Sequence, residues 1–179
     1  IMKGVLDIET GGFSITKNGV CEIALIAVNH DNEIVDTFHT LIKPYTREEG
    51  SDELVSYKDD AMAINGLTVE QLILEGIEVS EAMFALKNFI LSHGIEEIIG
   101  HNSNVFDVPR VDYLLNRFAN FGIALLPKHD TMLIAKEKHK LPSYKLGDLC
   151  NHFEILNTAE HSALGDALAT LKLFLILNN

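Results

Sequence analysis

Apolar and polar positions alternate along Val5-Leu6-Asp7-Ile8-Glu9-Thr10. A period of two marks a strand, because successive side chains point to opposite faces. On that strand Asp7 and Glu9 share a face with Val5, and Leu6 and Ile8 share the other. Gly11-Gly12 end it in a turn. Val20–Val28 and Glu33–Lys43 are rich in β-formers, and Asn29-His30-Asp31-Asn32 between them is turn chemistry. Three consecutive antiparallel strands are therefore predicted. The polar stretch Pro44–Leu54, with Gly50, reads as a mobile loop. Ala61–Ile64 reads as a short helix, with Thr68 as the cap of the next helical turn. The period then lengthens. Ala82, Phe84-Ala85, Phe89 and Leu91 predict a helix capped by Ser80 and running to about Ser92. Glu97–Gly100 is a short strand. From Val108, apolar residues at Val111, Leu114, Leu115 and Phe118 predict an amphipathic helix with Pro109 in its first turn. Leu125-Leu126, near His129-Asp130-Thr131, is expected to form a fifth strand or its end. Helices near Met132–Lys138, Leu146–Phe153 and Ala163–Leu177 complete the chain. Strands first, then strands alternating with helices, predict an α/β fold in which helices cover a mixed sheet. Residues 2–179 read as a single domain, with Ile1 left aside.

Composition narrows the class. With 179 residues, 47% hydrophobic and 22% charged, the chain can bury a full core. No apolar run is long enough to span a bilayer and no basic-then-apolar leader opens the sequence, so no membrane association and a cytoplasmic location are expected. Cys21 and Cys150 stand apart, without a CxxC pair, and are expected to be buried free thiols in a reducing compartment. The net charge of −12 opposes a tight grip on a long duplex. It still allows a deep site for one strand end, because bound divalent cations invert the local potential.

The candidate chemistry lies in carboxylates at unusual places. Asp7 and Glu9, two residues apart on one strand face, repel each other. They fit either a solvated strand face or a hard-cation site. Asp166 lies within a helix that is apolar almost all round, where a carboxylate needs a cation or a full set of hydrogen bonds; near a helix start the macrodipole also favours it. His161, five residues earlier, could reach the same place from a flexible segment or be simply solvated. Asp107, just before Val108-Pro109, has the position of an N-cap, and so has Asp130 before Thr131, where capping is the favoured role.

Asp7-Ile8-Glu9-Thr10-Gly11, then His101-Asn102 with Phe106-Asp107, then His161-Ser162-Ala163-Leu164-Gly165-Asp166-Ala167 resemble, in order, the three motifs of the DEDDh 3′–5′ exonucleases. That family includes the epsilon proofreading subunit of bacterial DNA polymerase III and several RNA-trimming enzymes. Ile64-Asn65-Gly66-Leu67-Thr68 is similar to a family loop that often carries histidine where this chain has Asn65. Asp130-Thr131 and Ser143-Tyr144-Lys145-Leu146 also have family counterparts. The resemblance implies a ribonuclease H-like mixed sheet, three antiparallel strands followed by parallel ones. It implies that Asp7, Glu9, Asp107 and Asp166 hold two divalent cations, Mg²⁺ or Mn²⁺. Asp7 would bridge both ions, Glu9 and Asp166 would complete one site, and Asp107 would act partly through water. His161 would be the general base. The five-residue spacing to Asp166 is that of the histidine subfamily.

A phosphodiester is anionic and resists hydroxide, and two metal ions answer that difficulty by activating water and stabilising the departing oxygen. A histidine titrating near neutrality suits the proton transfer. Thr10, Gly11 and Gly12 are expected to offer backbone amides to the terminal nucleotide. Phe13 is a candidate to stack on a base, though a loop phenylalanine is more often packed against its domain. Asn65 and Asn102 complete the substrate candidates, and Ile64 or Leu67 is a candidate wedge against the terminal base, with core packing as the alternative. The leading expectation is a metal-dependent exonuclease that shortens single-stranded nucleic acid from its 3′ end and releases nucleoside 5′-monophosphates, DNA favoured in a proofreading or repair role. RNA 3′-end trimming and hydrolysis of short oligonucleotides are the alternatives. A non-catalytic module that binds nucleic acid or a polymerase is the rival of another class. A polymerase or other protein is a possible partner, and the chain is expected to end with its last helix, without a partner-binding tail.

Overall fold

The computed structural model describes residues 1–179. Five strands form one sheet: β1 (Met2–Thr10), β2 (Val20–Val28), β3 (Ile34–Leu41), β4 (Ile95–Gly100) and β5 (Lys128–Asp130), in the order β3-β2-β1-β4-β5. β1 pairs antiparallel with β2, and β2 with β3. β4 lies parallel to β1, and β5 parallel to β4. Seven helices surround the sheet: α1 (Asp59–Asn65), α2 (Val69–Glu75), α3 (Val79–His93), α4 (Asp107–Ala119), α5 (Thr131–Lys138), α6 (Leu146–His152) and α7 (Ala163–Leu177). This is the ribonuclease H-like mixed sheet. No helix is long and apolar enough to cross a membrane. Cys21 and Cys150 are buried free thiols.

Alternation along β1 sorts its side chains between two cores. Leu6 and Ile8 pack with Ile23 and Leu25 of β2 beneath α3 and α4, where Met83, Leu86, Val111 and Leu115 are buried. Val5 packs on the opposite face with Ala24, Ile26 and Ile99 against Ala163, Ala167, Leu171 and Phe174 of α7. β2 is buried at all nine positions because both of its faces are covered, so it reads as an apolar run broken only by Glu22 rather than an alternating one. A third core joins α5, α6 and the far side of α7 through Ala135, Leu149, Ala169 and Leu173. Each fully buried leucine or isoleucine in these cores contributes about 1.5–3 kcal/mol. Where α7 crosses the carboxylate-bearing end of β1 the apolar side chains it packs on the sheet are Ala163 and Ala167, small enough to let the helix approach closely there.

Four local expectations are corrected. Ser80 does not cap α3; the helix starts at Val79 with Glu78 before it, because burying Val79 extends the apolar face backwards. Leu125-Leu126 is not strand. Asp112 accepts hydrogen bonds from the amides of Ile123 and Ala124, which shapes a loop, and the strand begins at Lys128. Asp107 is the first residue of α4 rather than its cap; Phe106 holds the cap position. The stretch from Pro44 to Leu54 is a pinned excursion and not a free loop. Tyr45 is buried and its hydroxyl accepts from the Val20 amide at 2.8 Å. Thr46 and Leu54 form an antiparallel bridge, and Arg117 donates to the Thr46 hydroxyl at 2.7 Å. Thr68 and Asp130 are caps as expected, accepting from the Gln71 and Met132 amides.

Candidate active site

Three segments converge at the C-terminal end of β1. The strand itself carries Asp7 and Glu9, the β4–α4 junction carries Asp107, and the first turn of α7 carries Asp166. Carboxylate oxygens of Asp7, Glu9 and Asp166 lie within 4.8 Å of one another. Asp107 stands outside that trio. Its Oδ2 accepts the Ile8 amide at 2.9 Å, at a point where the β1–β4 ladder has already ended with Val5 opposite Ile99. The carboxylate thus does for β1 what the next residue of a neighbouring strand would do. Asp166 is buried, and its Oδ1 accepts from Asn157 Nδ2 at 2.9 Å and from the His161 amide at 3.3 Å.

No lysine or arginine forms an ion pair with any of the four; Arg110, the cation nearest in sequence, donates to the Phe106 and Phe13 carbonyls and only offsets part of the rise at Asp107. The electrostatics follow from that. Burial, then the charges of Asp107, Asp166, Glu9 and Glu22, push the Asp7 carboxyl well above the usual range. Burial, then Asp166, Glu22 and Asp107, push Glu9 up to about 8. Burial raises Asp107 to about 7 against the opposing pull of the Ile8 amide. Asp166 is also raised by burial, held back by Asn157 and the His161 amide. Asp7 Oδ2 is sealed from solvent and has no hydrogen-bond partner. Carboxylates packed without an ion-pair partner, one with an oxygen facing nothing, fit hard divalent cations such as Mg²⁺ or Mn²⁺. Soft-ligand metals fit badly, since no thiolate or imidazole joins the trio.

His161 lies beside this cluster. It shares a cleft with Asp166, Lys145 and Glu160, its ring is half exposed, and its side chain's polar contact is Glu160 Oε1 at 3.5 Å. The expected flexible lead-in is instead a turn. The Ser162 amide and hydroxyl both donate to the Ala159 carbonyl, at 3.1 and 2.7 Å, and Ser162 then caps α7 through the Gly165 amide. Gly165 is required here. A Cβ at that position would meet the Ala159 Cβ at 2.7 Å, so only glycine lets the turn lie on the helix. His161 itself adopts φ 66°, a left-handed conformation that costs a non-glycine residue about 1 kcal/mol or more.

An apolar pocket of about 200 Å³ opens on the other side of Glu9, lined in part by Thr10, Gly12, Phe13, Ile64 and Phe106. Phe13 is 80% exposed. It is not packed into the domain; its ring meets Phe106 edge-on at 6.2 Å. The Arg110 guanidinium lies 3.8 Å from the Phe106 ring centroid and, through the two carbonyls, fastens both aromatic residues in place. Ile64 is also exposed and not core. Gly11 offers no free amide, because its N–H donates to the Gly19 carbonyl at 2.8 Å. Asn65 reaches the Thr10 carbonyl at 3.3 Å and braces the strand end from behind. Asn102 does not line this pocket; its amide is held by Asp130 at 2.9 Å.

Sequence reasoning passed over Glu22. It is buried, pairs in register with Glu9, accepts the Ala163 amide on Oε1 at 2.6 Å, and meets His39 Nε2 on Oε2 at 2.8 Å. Glu22 therefore anchors the start of α7 to the sheet. The available signal was one charge inside a nine-residue buried run. Glu22→Ala is expected to lower stability by about 1–3 kcal/mol, the cost of a buried donor left alone. A urea unfolding midpoint equal to that of the parent would show that the Ala163 amide finds another acceptor.

The family described as "Exonuclease" matches residues 5–174. A PolC-type DNA polymerase III of Thermotoga petrophila is 28% identical over 171 residues, 96% of this chain and 11% of the relative. The chain thus spans about a tenth of the PolC-type relatives it matches. The DNA polymerase III subunit epsilon of Aquifex aeolicus is 26% identical over 172 residues, covering 96% of this chain and 77% of that protein. In structure, product-bound exonuclease I superposes with a TM-score of 0.80 at 17% identity over 99% of this chain and 43% of that one. E. coli exonuclease I in complex with a dT13 oligonucleotide gives 0.78 at 18% identity, over 99% of this chain and 41% of that one. At those identities the likeness is one of fold.

Proposed function

The chain belongs to the exonuclease family, and from that membership we propose that it removes nucleotides singly from the 3′ end of single-stranded nucleic acid, DNA in preference to RNA, releasing nucleoside 5′-monophosphates. The observation that carries this reading is the trio of Asp7, Glu9 and Asp166 with Asp107 beside it and no basic partner among them. Asp7, Glu9 and Asp166 would hold one divalent cation, and Asp7 with Asp107 a second. Such ions supply charge neutralisation, an acidified water and a stabilised leaving oxygen.

The chain's own residues would do the rest. His161 takes a proton from the attacking water, its ring turning from Glu160 towards Asp166. The pocket between Phe13, Ile64 and Phe106 takes the terminal nucleoside, with the exposed Phe13 ring as a stacking face; stacking of that kind is worth about 1–3 kcal/mol per base. The preference for DNA is supported by relatives that are DNA polymerases or their subunits and by a fold neighbour in complex with a DNA oligonucleotide. The same relatives make a polymerase the favoured protein partner. Residues 2–179 act as one domain in this reading.

The test is release of mononucleotides from matched 5′-labelled single-stranded DNA and RNA oligomers with Mg²⁺, Mn²⁺ or EDTA, and with His161→Ala as control. A ladder shortening from the 3′ end, silent in EDTA and slowed at least about a hundredfold in the variant, is the expected result. Labelled oligomers that stay at full length on both polymers with either metal would refute it.

A further inference from the structure

Lys136, Lys138, Lys140 and Lys145 fall within ten residues that hold one acidic residue, Glu137. That segment carries +3 in a chain whose total is −12. The chain has 26 acidic and 14 basic side chains, and of the basic ones only Lys43, 3.9 Å from Glu78, and Arg47, 3.3 Å from Glu53, form ion pairs. None of the four lysines forms an ion pair. Lys138 is occupied otherwise, donating to the Leu177 carbonyl at the end of α7; Lys136, Lys140 and Lys145 are exposed.

The surface between them is built. Tyr144 donates its hydroxyl proton to the His139 carbonyl at 2.7 Å and accepts the Leu141 amide at 3.1 Å. Its ring lies 5.8 Å from Lys136 Nζ. The half-buried His101 ring spans from the Thr131 hydroxyl at 2.7 Å to the Tyr144 carbonyl at 2.8 Å, which ties this loop to the end of β4 beside the Asp107 junction. Lys136, Lys140 and Tyr144 line an open cleft of about 400 Å³. The next residue, Lys145, lines the cleft that contains His161 and Asp166. A line of lysines, Lys145, Lys140 and Lys136, therefore leads outward from that cleft, where Lys145 is the one lysine beside Asp148, Glu160 and Asp166, to the net-positive cleft around Tyr144.

We propose that this path, from Lys145 past Tyr144 to Lys140 and Lys136, carries the single strand upstream of the bond being cut. The inference rests on the exonuclease reading above. With the terminal nucleoside in the Phe13 pocket, the rest of the strand has to leave by another opening, and this cleft is the one whose charge attracts phosphate. Lysines without counter-ions bind a backbone irrespective of sequence, and the Tyr144 ring offers a face to any base. The device also reconciles an acidic protein with a polyanionic substrate: repulsion over most of the surface, attraction along one line.

The test is the double variant Lys136→Gln/Lys140→Gln, whose side chains are exposed and outside the carboxylate site. On a 12-nucleotide single-stranded DNA at low salt, kcat/KM is expected to fall about tenfold, carried by KM; on a trinucleotide, too short to reach these lysines, it changes less than twofold. The log–log salt slope for the 12-mer should shrink by about 1.4, the value for two lost phosphate contacts on a single strand. Equal effects on both lengths, or none on the 12-mer, overturn the proposal. Fluorescence anisotropy of labelled dT12 in EDTA supplies an arm independent of turnover. Tenfold weaker binding by the variant supports the path, and unchanged or absent binding by the parent protein overturns it. If hydrolysis is never seen but lysine-dependent binding is, the exonuclease reading fails and the strand path stands.

Discussion

Asp7→Asn is expected to abolish mononucleotide release and, in EDTA at pH 8, to raise the melting temperature. The loss should be at least about a thousandfold, equivalent to some 4 kcal/mol of transition-state stabilisation, because in the proposed reading Asp7 would serve both cation sites. The gain has a separate origin. Asp7 Oδ2 is sealed without a partner, and Asp107, Asp166, Glu9 and Glu22 all press on its charge. Asparagine keeps the shape, removes the charge and offers two donors to those neighbours. Relief of an unpaired buried polar group is worth about 1–3 kcal/mol. Thermal melts of parent and variant in EDTA, with and without added Mn²⁺, check both halves. The parent should melt higher with Mn²⁺, and the variant should respond little. A variant that melts lower than the metal-free parent would mean that the Asp7 carboxylate is held by favourable contacts, contrary to the unpartnered oxygen.

The second large effect is a reversal of pH dependence by metal. Glu9 is pushed up to about 8 and Asp107 to about 7, with Asp7 and Asp166 raised as well. In the unfolded chain these groups titrate near 4. Between those values the folded state binds more protons than the unfolded one, so its stability falls as pH rises. The metal-free protein should therefore melt highest near pH 5 and progressively lower towards pH 8.5. Cations require the ionised carboxylates, so their stabilisation grows over the same interval. At a hundredfold excess over Kd it amounts to about 2.7 kcal/mol. The melting-temperature difference between Mn²⁺ and EDTA should be largest near pH 8 and fade below pH 6. A metal-free melting temperature that climbs steadily from pH 5 to 8.5 would show that the carboxylates are already compensated in the empty fold.

Much of this site is legible in the sequence because alternation is a strong constraint. Once Val5 to Thr10 is a strand with Leu6 and Ile8 turned into one core, Asp7 and Glu9 have to share the other face, and Asp166 has to lie one turn into a buried helix. Asp107 shows the limit of such reasoning. A residue ahead of Val-Pro has the local chemistry of a cap, yet its carboxylate is used by the Ile8 amide, 99 residues away in sequence. Glu22 was hidden for a similar reason, since its partners are Ala163 and His39. The Tyr45–Leu54 stretch looked free because its polar composition conceals how firmly Tyr45 and Arg117 hold it. Phe13 reversed the usual statistics: a loop phenylalanine is generally covered, and this one is held out by a cation clamping the backbone behind it. In each case the deciding contact is distant in sequence, where neither propensity nor period reaches.

The alanines that α7 turns towards the sheet have a consequence for ion choice. Ala163 and Ala167 pack on Val5 and Ala24, and Asp166 lies between them on the same helix. The span from Asp166 to Asp7 is thus fixed by methyl groups, like the jaw of a calliper set from behind by shims. In the proposed cation site, ionic radius would then be read by hydrocarbon volume as well as by the ligands: Mg²⁺ tolerates little departure from its short octahedral bonds, whereas Ca²⁺ accepts longer and looser ones. A single methylene added to that shim would retune the site without touching any atom that meets the ion.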